Sequence, residues 1–412
     1  MVDPHSILAW IQNYRLEEGT KPAMLVESFG AQFTLCVREN TINTLWNGDT
    51  ANNYGVLKRF KNYCSQNPKT DRNVHPIPFL GCGPSTGKSR FLQEIGNIIR
   101  EKARLSNDEI KCILGEAVFL NVTYGNGSAV TDFDMDIGAE ASLALRILYT
   151  HFIHGNDDMS YVLFAQTARK ENAKQFALPV ALQAIYEYKK MKKLVIVVGI
   201  DEVNKLYDKD RTRSCNSGSV FFVPILAGTV ESPPRSIITK SMHQALQLPL
   251  QLLDAFDMLL IACNLGFDEA FVYQNNLFRH ALEIFYELIC GEAETYEWED
   301  IDLVEMMIIL KKKLKGRYKF KEFANKITPM LANAILERSV DEDDVVDIDG
   351  HEVSYKTLKS YGILMLEPVD DEFYIRLWVW LLIKSVRNRS IYNFWDGQEI
   401  AKGIVGERKK IC

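Results

Sequence analysis

The spacing of apolar and polar positions changes character along the 412 residues. Residues 4–18 set Ile7, Leu8, Ile11 and Leu16 towards one face, with Pro4 near the first turn, which predicts a short amphipathic helix. The alternation in AQFTLCVREN (31–40) predicts a strand, and NYGVLKRFKNYCS (53–65) a second short helix. From Pro76 the pattern becomes one of buried runs. Ile77, Phe79 and Leu80 come first, followed by GEAVFLNVTYG (115–125), LVIVVGIDEVNKL (194–206), VFFVPILAGT (220–229) and DMLLIAC (257–263). Between them FLQEIGNIIRE (91–101) and stretches around 138–154 and 178–192 carry helical spacing, with a polar insertion before the last. Near-continuous apolar strands alternating with helices predict a parallel sheet covered on both faces.

Beyond about residue 266 the strand signal fades. Three segments, EAFVYQNNLFRHALEIFYELICG, DLVEMMIILKKKLKG and FANKITPMLANAILERS, show helical spacing. After an acidic stretch, Asp341 to Asp349, the order is a helix leading to Gly362, a strand, a polar turn and a second strand, the outline of a small winged-helix-like module. Asp349-Gly350, between VVDI and HEVSY, reads as a tight hairpin turn. A calcium loop is excluded there, because Val345 and Lys356 would occupy its first and twelfth positions. The expected organisation is a small α/β platform over 1–70, an α/β core with a parallel sheet over 71–265, a helical domain over 266–340, the winged-helix-like module over 341–392 and a polar tail over 393–412.

The stretch PIPFLGCGPSTGKSR, Pro76 to Arg90, brings chemistry into this scheme. An apolar strand runs into a glycine-rich turn, then Gly87-Lys88-Ser89, then an amphipathic helix, which is the context of a phosphate-binding loop. Gly83, Pro84, Ser85, Thr86, Gly87, Lys88, Ser89 and Arg90 form the segment expected to wrap the β- and γ-phosphates, with the available backbone N–H groups at the positive end of that helix. Lys88 would supply a mobile point charge and Ser89 a hydroxyl for Mg²⁺. The first glycine of the loop pattern is replaced by Cys82, flanked by Gly81 and Gly83. Cys82, followed by five residues and then Lys88, also mimics a cysteine-phosphatase loop, but that loop needs arginine's planar fork where Lys88 stands. A glycine-serine loop without any ligand is the bland alternative.

A second constellation supports the first. LVIVVGIDE carries two adjacent carboxylates, Asp201 and Glu202, out of a buried strand about 110 positions downstream. Asp201 would hold Mg²⁺, and Glu202 would orient and deprotonate the attacking water. Taken alone, Asp-Glu at a strand end equally fits a cap for the next helix. The following strand ends in Gly228-Thr229, which makes Thr229 the candidate for sensing the γ-phosphate. Arg235 is a candidate arginine finger, set against a solvated arginine after two prolines.

Composition excludes little. Hydrophobic content of 47% and charge of 25% are ordinary for a globular protein, and the length suffices for two or three units. A net charge of −6 gives no global argument for nucleic acid or an anionic membrane. The run from Lys311 to Lys321 is locally basic; nucleic-acid contact there is possible but not favoured over a solvated helix face. Eight cysteines without C-x-x-C pairs read as reduced, mostly buried thiols, and no zinc spacing accompanies them. The first 19 residues do not resemble a signal peptide, and no run of about 18 apolar residues predicts a membrane helix. The expectation is an intracellular protein of cytoplasm or nucleus.

With these residues placed, PFLGCGPSTGKSRFLQEI, LVIVVGIDEVNKL, VPILAGTVESPP, Ser241 with LPLQLL, and the YGILMLE module together resemble the P-loop NTPase module of Crinkler-type effectors, over about 75 to 385. The same module is similar to that of trypanosomatid retrotransposon hot-spot proteins. The resemblance implies a P-loop NTPase core of the AAA+/STAND kind, with ATP or GTP as substrate and Lys88, Ser89, Asp201 and Glu202 in the roles above. The leader with an LFLAK-type motif is absent, as are paired histidines of an HNH site and a D…ExK pattern. Nuclear action and DNA cleavage therefore do not carry over, and delivery into a host cell rests on the family resemblance alone. Three functions compete: an ATPase that switches conformation for a protein client, a module that binds nucleotide without turnover, and a small-molecule kinase. The last would need an arginine-rich lid, and the 155–177 insertion holds only Arg169.

Overall fold

A computed structural model describes residues 3–14, 24, 25, 35, 38–69, 71–82, 86–125, 128–155, 159–170, 173–203, 219–228, 238, 243–250, 261, 330, 333, 336, 338–341, 343–348, 351–360, 364–369 and 372–376. The apolar runs become five parallel strands: β1 (Ile77–Gly81), β2 (Val118–Thr123), β3 (Leu194–Asp201), β4 (Val220–Gly228) and β5 (Ala245–Gln247). Their spatial order is β2-β3-β4-β1-β5. Every residue of β3 and β4 is buried, which is why those segments lack polar alternation. The chain is thus α/β with a parallel sheet covered on both faces.

Helices supply the two covers. On one face α7 (Ala139–Phe152) and α9 (Leu178–Lys189) pack Leu143, Ile147, Leu182 and Ile185 into a core with Leu120, Ile196, Val198 and Phe222. Each such side chain, fully buried, contributes roughly 1.5–3 kcal/mol. On the other face lies α4 (Lys88–Arg104), whose buried Phe91, Leu92, Ile95, Ile98 and Ile99 recur at helical spacing. Leu92 sits close against Gly199 of β3, where a larger residue would push the helix away. Lys102 and Arg104 in the last turn of α4 oppose the negative end of its dipole. Next comes α5 (Asp108–Gly115), started by Asn107, whose side chain accepts a 2.9 Å bond from the Ile110 N–H.

Residues 3–14, 24, 25 and 38–69 belong to the same compact unit as the sheet. α1 (Pro4–Gln12) is capped by Asp3 and packs on α9; Trp10 meets Phe164 at 4.8 Å and Phe176 at 5.4 Å. α2 (Glu39–Asn47) lies on α4, and α3 (Val56–Cys64) sets Phe60 edge-on to Phe221 of β4 at 5.5 Å.

Several expectations need correction. The strand expected over 31–40 gives way to α2 at Glu39, and among its described residues only Leu35 and Arg38 precede that helix. The polar insertion holds a helix, α8 (Tyr161–Lys170), and α6 (Asp132–Ile137) precedes α7. The place beside β1 in the sheet is taken by β5; of the run 257–263 only Ile261 lies among the described residues, and it is helical. Among the described residues no cysteine forms a disulfide; Cys64 and Cys82 are half-buried and Cys112 is exposed, so these three thiols are not the buried core residues expected.

The second compact unit is described mainly over residues 338–376. β7 (Val345–Ile348) and β8 (His351–Ser354) pair antiparallel, with Ile348 opposite His351, in keeping with a two-residue connection. α10 (Tyr355–Ser360) follows, then β9 (Met365–Val369) and β10 (Glu372–Arg376), also antiparallel, with β6 (Ser339–Val340) on the far side of β10. The buried Tyr355 hydroxyl accepts a 2.7 Å bond from Asn333. The helices expected over 266–329, the basic run Lys311–Lys321, Gly362 and the tail lie outside the described residues.

At the N-terminal edge of the sheet Arg59 and two histidines lie close together, and among the described residues none of the three forms a salt bridge. The fully buried Arg59 guanidinium donates to the carbonyls of Pro76 (3.1 Å) and Phe222 (3.4 Å), and burial pulls its pKa down to about 10. Beside it His243 Nδ1 meets the His75 carbonyl at 3.0 Å. Burial lowers the pKa of both histidines, and Arg59 pushes the same way on each; Lys69 and Asp71 act oppositely at His75, and the His75 carbonyl at His243. Because their folded pKa values are depressed, both favour the folded state fully above the ordinary value of 6.5. That contribution is lost as pH falls through the lowered values. Thermal melts should therefore show acid destabilisation below pH 6.5, shallower in a His75→Asn/His243→Asn double variant; a double variant with an unchanged acid limb would contradict this assignment.

Candidate active site

The site is assembled where the strands end. In the sheet β2 lies beyond β4 and β3 from β1, whereas β5 lies on the opposite side of β4, beyond β1, so the strand order reverses direction. Opposed crossovers open a crevice at the carboxyl ends of the strands they leave. β1 and β4 end level, Gly81 opposite Gly228, and Thr123 of β2 stands opposite Asp201 of β3.

Between β1 and α4 the chain turns at Gly87, whose φ of +90° is a left-handed conformation that glycine adopts without penalty. Lys88 opens α4 and is 6% exposed. Its Nζ donates to the Cys82 carbonyl at 2.8 Å, returning across the loop to the end of β1, and lies 3.5 Å from Thr86 Oγ1. Burial pulls the ammonium down to about pKa 8, against the opposing pull of Cys82, Asp201 and Glu202. Ser89 Oγ donates to Asp201 Oδ2 at 2.6 Å, the length of a hydroxyl–carboxylate bond.

Asp201 is 5% exposed, and its Oδ1 also accepts the Glu202 N–H at 3.0 Å. Burial pushes its carboxyl above the usual range; Ser89 and Lys88 oppose this and the Glu202 charge adds to it. Glu202 has a φ of +53°, a conformation costing a non-glycine residue on the order of 1 kcal/mol. The turn lays its carboxylate against Gly125, on the loop after β2. Lys88, Ser89, Asp201 and Glu202, distant in sequence, thus converge at one edge of the sheet. Arg90 pairs instead with Glu94 one turn along α4, at 2.5 Å. Gly83, Pro84, Ser85, Thr229, Arg235 and Ser241 lie outside the described residues.

Two elements of this edge carried no sequence motif. Arg38, at the entrance to α2, donates from Nη2 to the Thr86 carbonyl at 2.8 Å. Arg146 of α7 braces the loop after β2: Nη1 donates to the carbonyls of Thr123 (2.8 Å) and Ser128 (2.6 Å), and Nη2 pairs with Asp134 at 2.9 Å. Its guanidinium lies 4.4 Å from the Tyr124 ring centroid and 4.1 Å from that of Tyr161. An arginine inside the apolar run LALRILY was the available signal, since a charge there must find buried partners.

Packing at Gly125 yields a direct test. A methyl group there would overlap Glu202 Oε2, while the glycine's backbone is not in the left-handed region. Gly125→Ala should therefore move the Glu202 carboxylate without disturbing Lys88 or Ser89. If Glu202 serves turnover, the variant loses roughly tenfold or more in rate while ligand affinity stays within about threefold. Equal rates in variant and wild type would contradict the placement.

The donor set also fits a hard cation. Ser89 Oγ and Asp201 Oδ2 present two oxygens side by side, and Mg²⁺ takes few protein ligands, completing its shell with water and substrate oxygen. Among the described residues no cluster of three or more His, Cys, Asp or Glu could hold a metal by itself. No described helix is long and apolar enough to cross a membrane.

Comparison with known proteins adds one relationship. The chain is similar to Crinkler effector protein 108 of Phytophthora sojae. The two are 26% identical over 189 residues, which is 42% of this chain and 23% of that protein. The chain thus spans under a quarter of the length of this curated relative. No family model matches.

Proposed function

We propose that this protein binds a nucleoside triphosphate with Mg²⁺ at the carboxyl edge of its sheet and hydrolyses it, ATP being favoured over GTP. The observation that carries the reading is the convergence of a buried ammonium, Lys88, with the Ser89–Asp201 pair and Glu202. A buried ammonium beside two acidic side chains sets a phosphate-binding charge and cation-binding oxygens at one edge of the sheet, which matches the two charges of a metal–triphosphate complex. The fold is then a P-loop NTPase core of the AAA+/STAND kind, with a helical and winged-helix-like region following it. The similarity to a Crinkler effector supports placing that core in a Crinkler-like protein.

Each residue has a defined task. Backbone N–H groups of the turn and the first residues of α4 face the phosphates at the positive helix end. Lys88 holds the β- and γ-phosphate oxygens and offsets charge that spreads over them as the terminal phosphoryl leaves. Ser89 and Asp201 would hold Mg²⁺, which when bound neutralises phosphate charge. Glu202 accepts the proton of the attacking water, so that water oxygen bonds to the γ-phosphorus while the diphosphate departs. Release of γ-phosphate then changes how the C-terminal region engages a protein client.

Phosphate release from ATP and from GTP, measured with millimolar Mg²⁺ on folded protein, tests the proposal. Turnover that stops when Mg²⁺ is chelated is the expected result. Saturable binding without release would favour a nucleotide-dependent binding module for protein or DNA instead, and absence of both would contradict the assignment.

A further inference from the structure

One guanidinium reaches the loop from 48 residues upstream, and its geometry bears on how the loop is held. Arg38 is 3% exposed, and its Nη2 donates to the Thr86 carbonyl at 2.8 Å. That carbonyl belongs to the same planar trans peptide as the Gly87 N–H, and in such a unit the two bonds point in opposite directions. Drawing the oxygen towards Arg38 therefore turns the Gly87 N–H the other way. The charge on the donor places this bond among the stronger ones.

The anchor itself is fixed on separate sides. Thr41 Oγ1, one turn into α2, donates to the Pro249 carbonyl just after β5. Leu45 and Trp46 are buried, and Lys102 of α4 reaches Asn43 at 3.1 Å. Arg38 is thus held by an element tied to both the loop helix and the chain leaving β5.

We infer that Arg38 is a positioning residue for the anion-binding loop, acting through the Thr86–Gly87 peptide to keep the Gly87 N–H aimed at phosphate. The inference rests on the triphosphate reading and deepens it by naming what preforms the donor array. It gives Arg38 no contact with the reacting atoms. The cost of its loss falls on binding, because an untethered peptide must be ordered when the ligand arrives.

Thr86-Gly87 is the sole Thr-Gly pair in the sequence, so carbonyl-¹³C threonine with ¹⁵N glycine isolates the Gly87 amide as a single resonance. Full-length wild type, Arg38→Ala and Arg38→Gln are each titrated with MgATP by calorimetry and by following that resonance. Arg38→Ala should bind about 10- to 100-fold more weakly. Arg38→Gln, which keeps a donor without the charge, should fall between. The Gly87 resonance of both free variants should already be displaced from its wild-type position, and the affinity loss should be partly restored in Arg38→Gln. If Arg38→Ala does not fold, Arg38→Gln decides by the same two readouts. Wild-type affinity with an unmoved Gly87 resonance overturns the inference and leaves the triphosphate reading standing. Absence of MgATP binding by wild type overturns both.

Discussion

Lys88→Ala should abolish measurable triphosphate binding, weakening it by about 100- to 1000-fold, the loss of two charge-assisted contacts. The argument begins with the cost of keeping this ammonium where it is. At 6% exposure it has surrendered most of its hydration for the Cys82 carbonyl and the charges of Asp201 and Glu202, and its pKa has fallen to about 8. A lysine whose folded pKa is depressed lowers stability at neutral pH, because the unfolded chain binds the proton more readily. The alanine variant without ligand should therefore melt no lower than wild type. Ligand binding and stability should move apart, which separates a functional lysine from a structural one.

The same residue sets a pH dependence. A triphosphate favours the charged ammonium, so binding raises the Lys88 pKa and takes up a proton wherever the free protein has lost one. Affinity attributable to Lys88 is full below about pH 8 and falls above it, by at most about tenfold per pH unit. Titrations at pH 7.5, 8.5 and 9.5 measure this directly. An affinity that holds constant across that range would show that Lys88 does not meet the phosphates.

Glu202→Gln should leave binding within about threefold of wild type and lower turnover by roughly 10²- to 10⁴-fold, the range for removing a general base. Glutamine matches the shape of glutamate and retains an acceptor, but it takes no proton at neutral pH. The left-handed turn at Glu202 supports a dedicated position, since backbone strain persists only where the surroundings impose it. Asp201 is not interchangeable with it: Ser89 and the Glu202 N–H fix the orientation of its carboxylate at the strand end. Single-turnover measurements with saturating ATP distinguish loss of chemistry from loss of product release. Undiminished turnover in the glutamine variant would remove Glu202 from the reaction.

How far the sequence discloses this arrangement depends on how local each signal is. The loop helix was legible because Gly87-Lys88-Ser89 adjoins apolar residues at helical spacing, and β3 because seven buried residues precede Asp201. β5 was not legible: three residues, Ala245–Gln247, leave too short a pattern, and the longer run at 257–263 drew attention away. Alternation in 31–40 suggested a strand, yet Arg38 and Glu39 belong to the start of a helix whose buried Leu45 and Trp46 dock on the core. Tertiary burial overrode local pattern there. Arg38 and Arg146 act chiefly on backbone carbonyls, acceptors that every residue carries, so no residue type betrays their partners.

The central claim is that Lys88, Ser89, Asp201 and Glu202 surround one metal–triphosphate complex. Titrating the wild-type protein with ATP, with and without Mg²⁺, tests it most directly. The account predicts saturable one-to-one binding that tightens when Mg²⁺ is present. Folded protein that shows no saturable binding of ATP or GTP under either condition would contradict it.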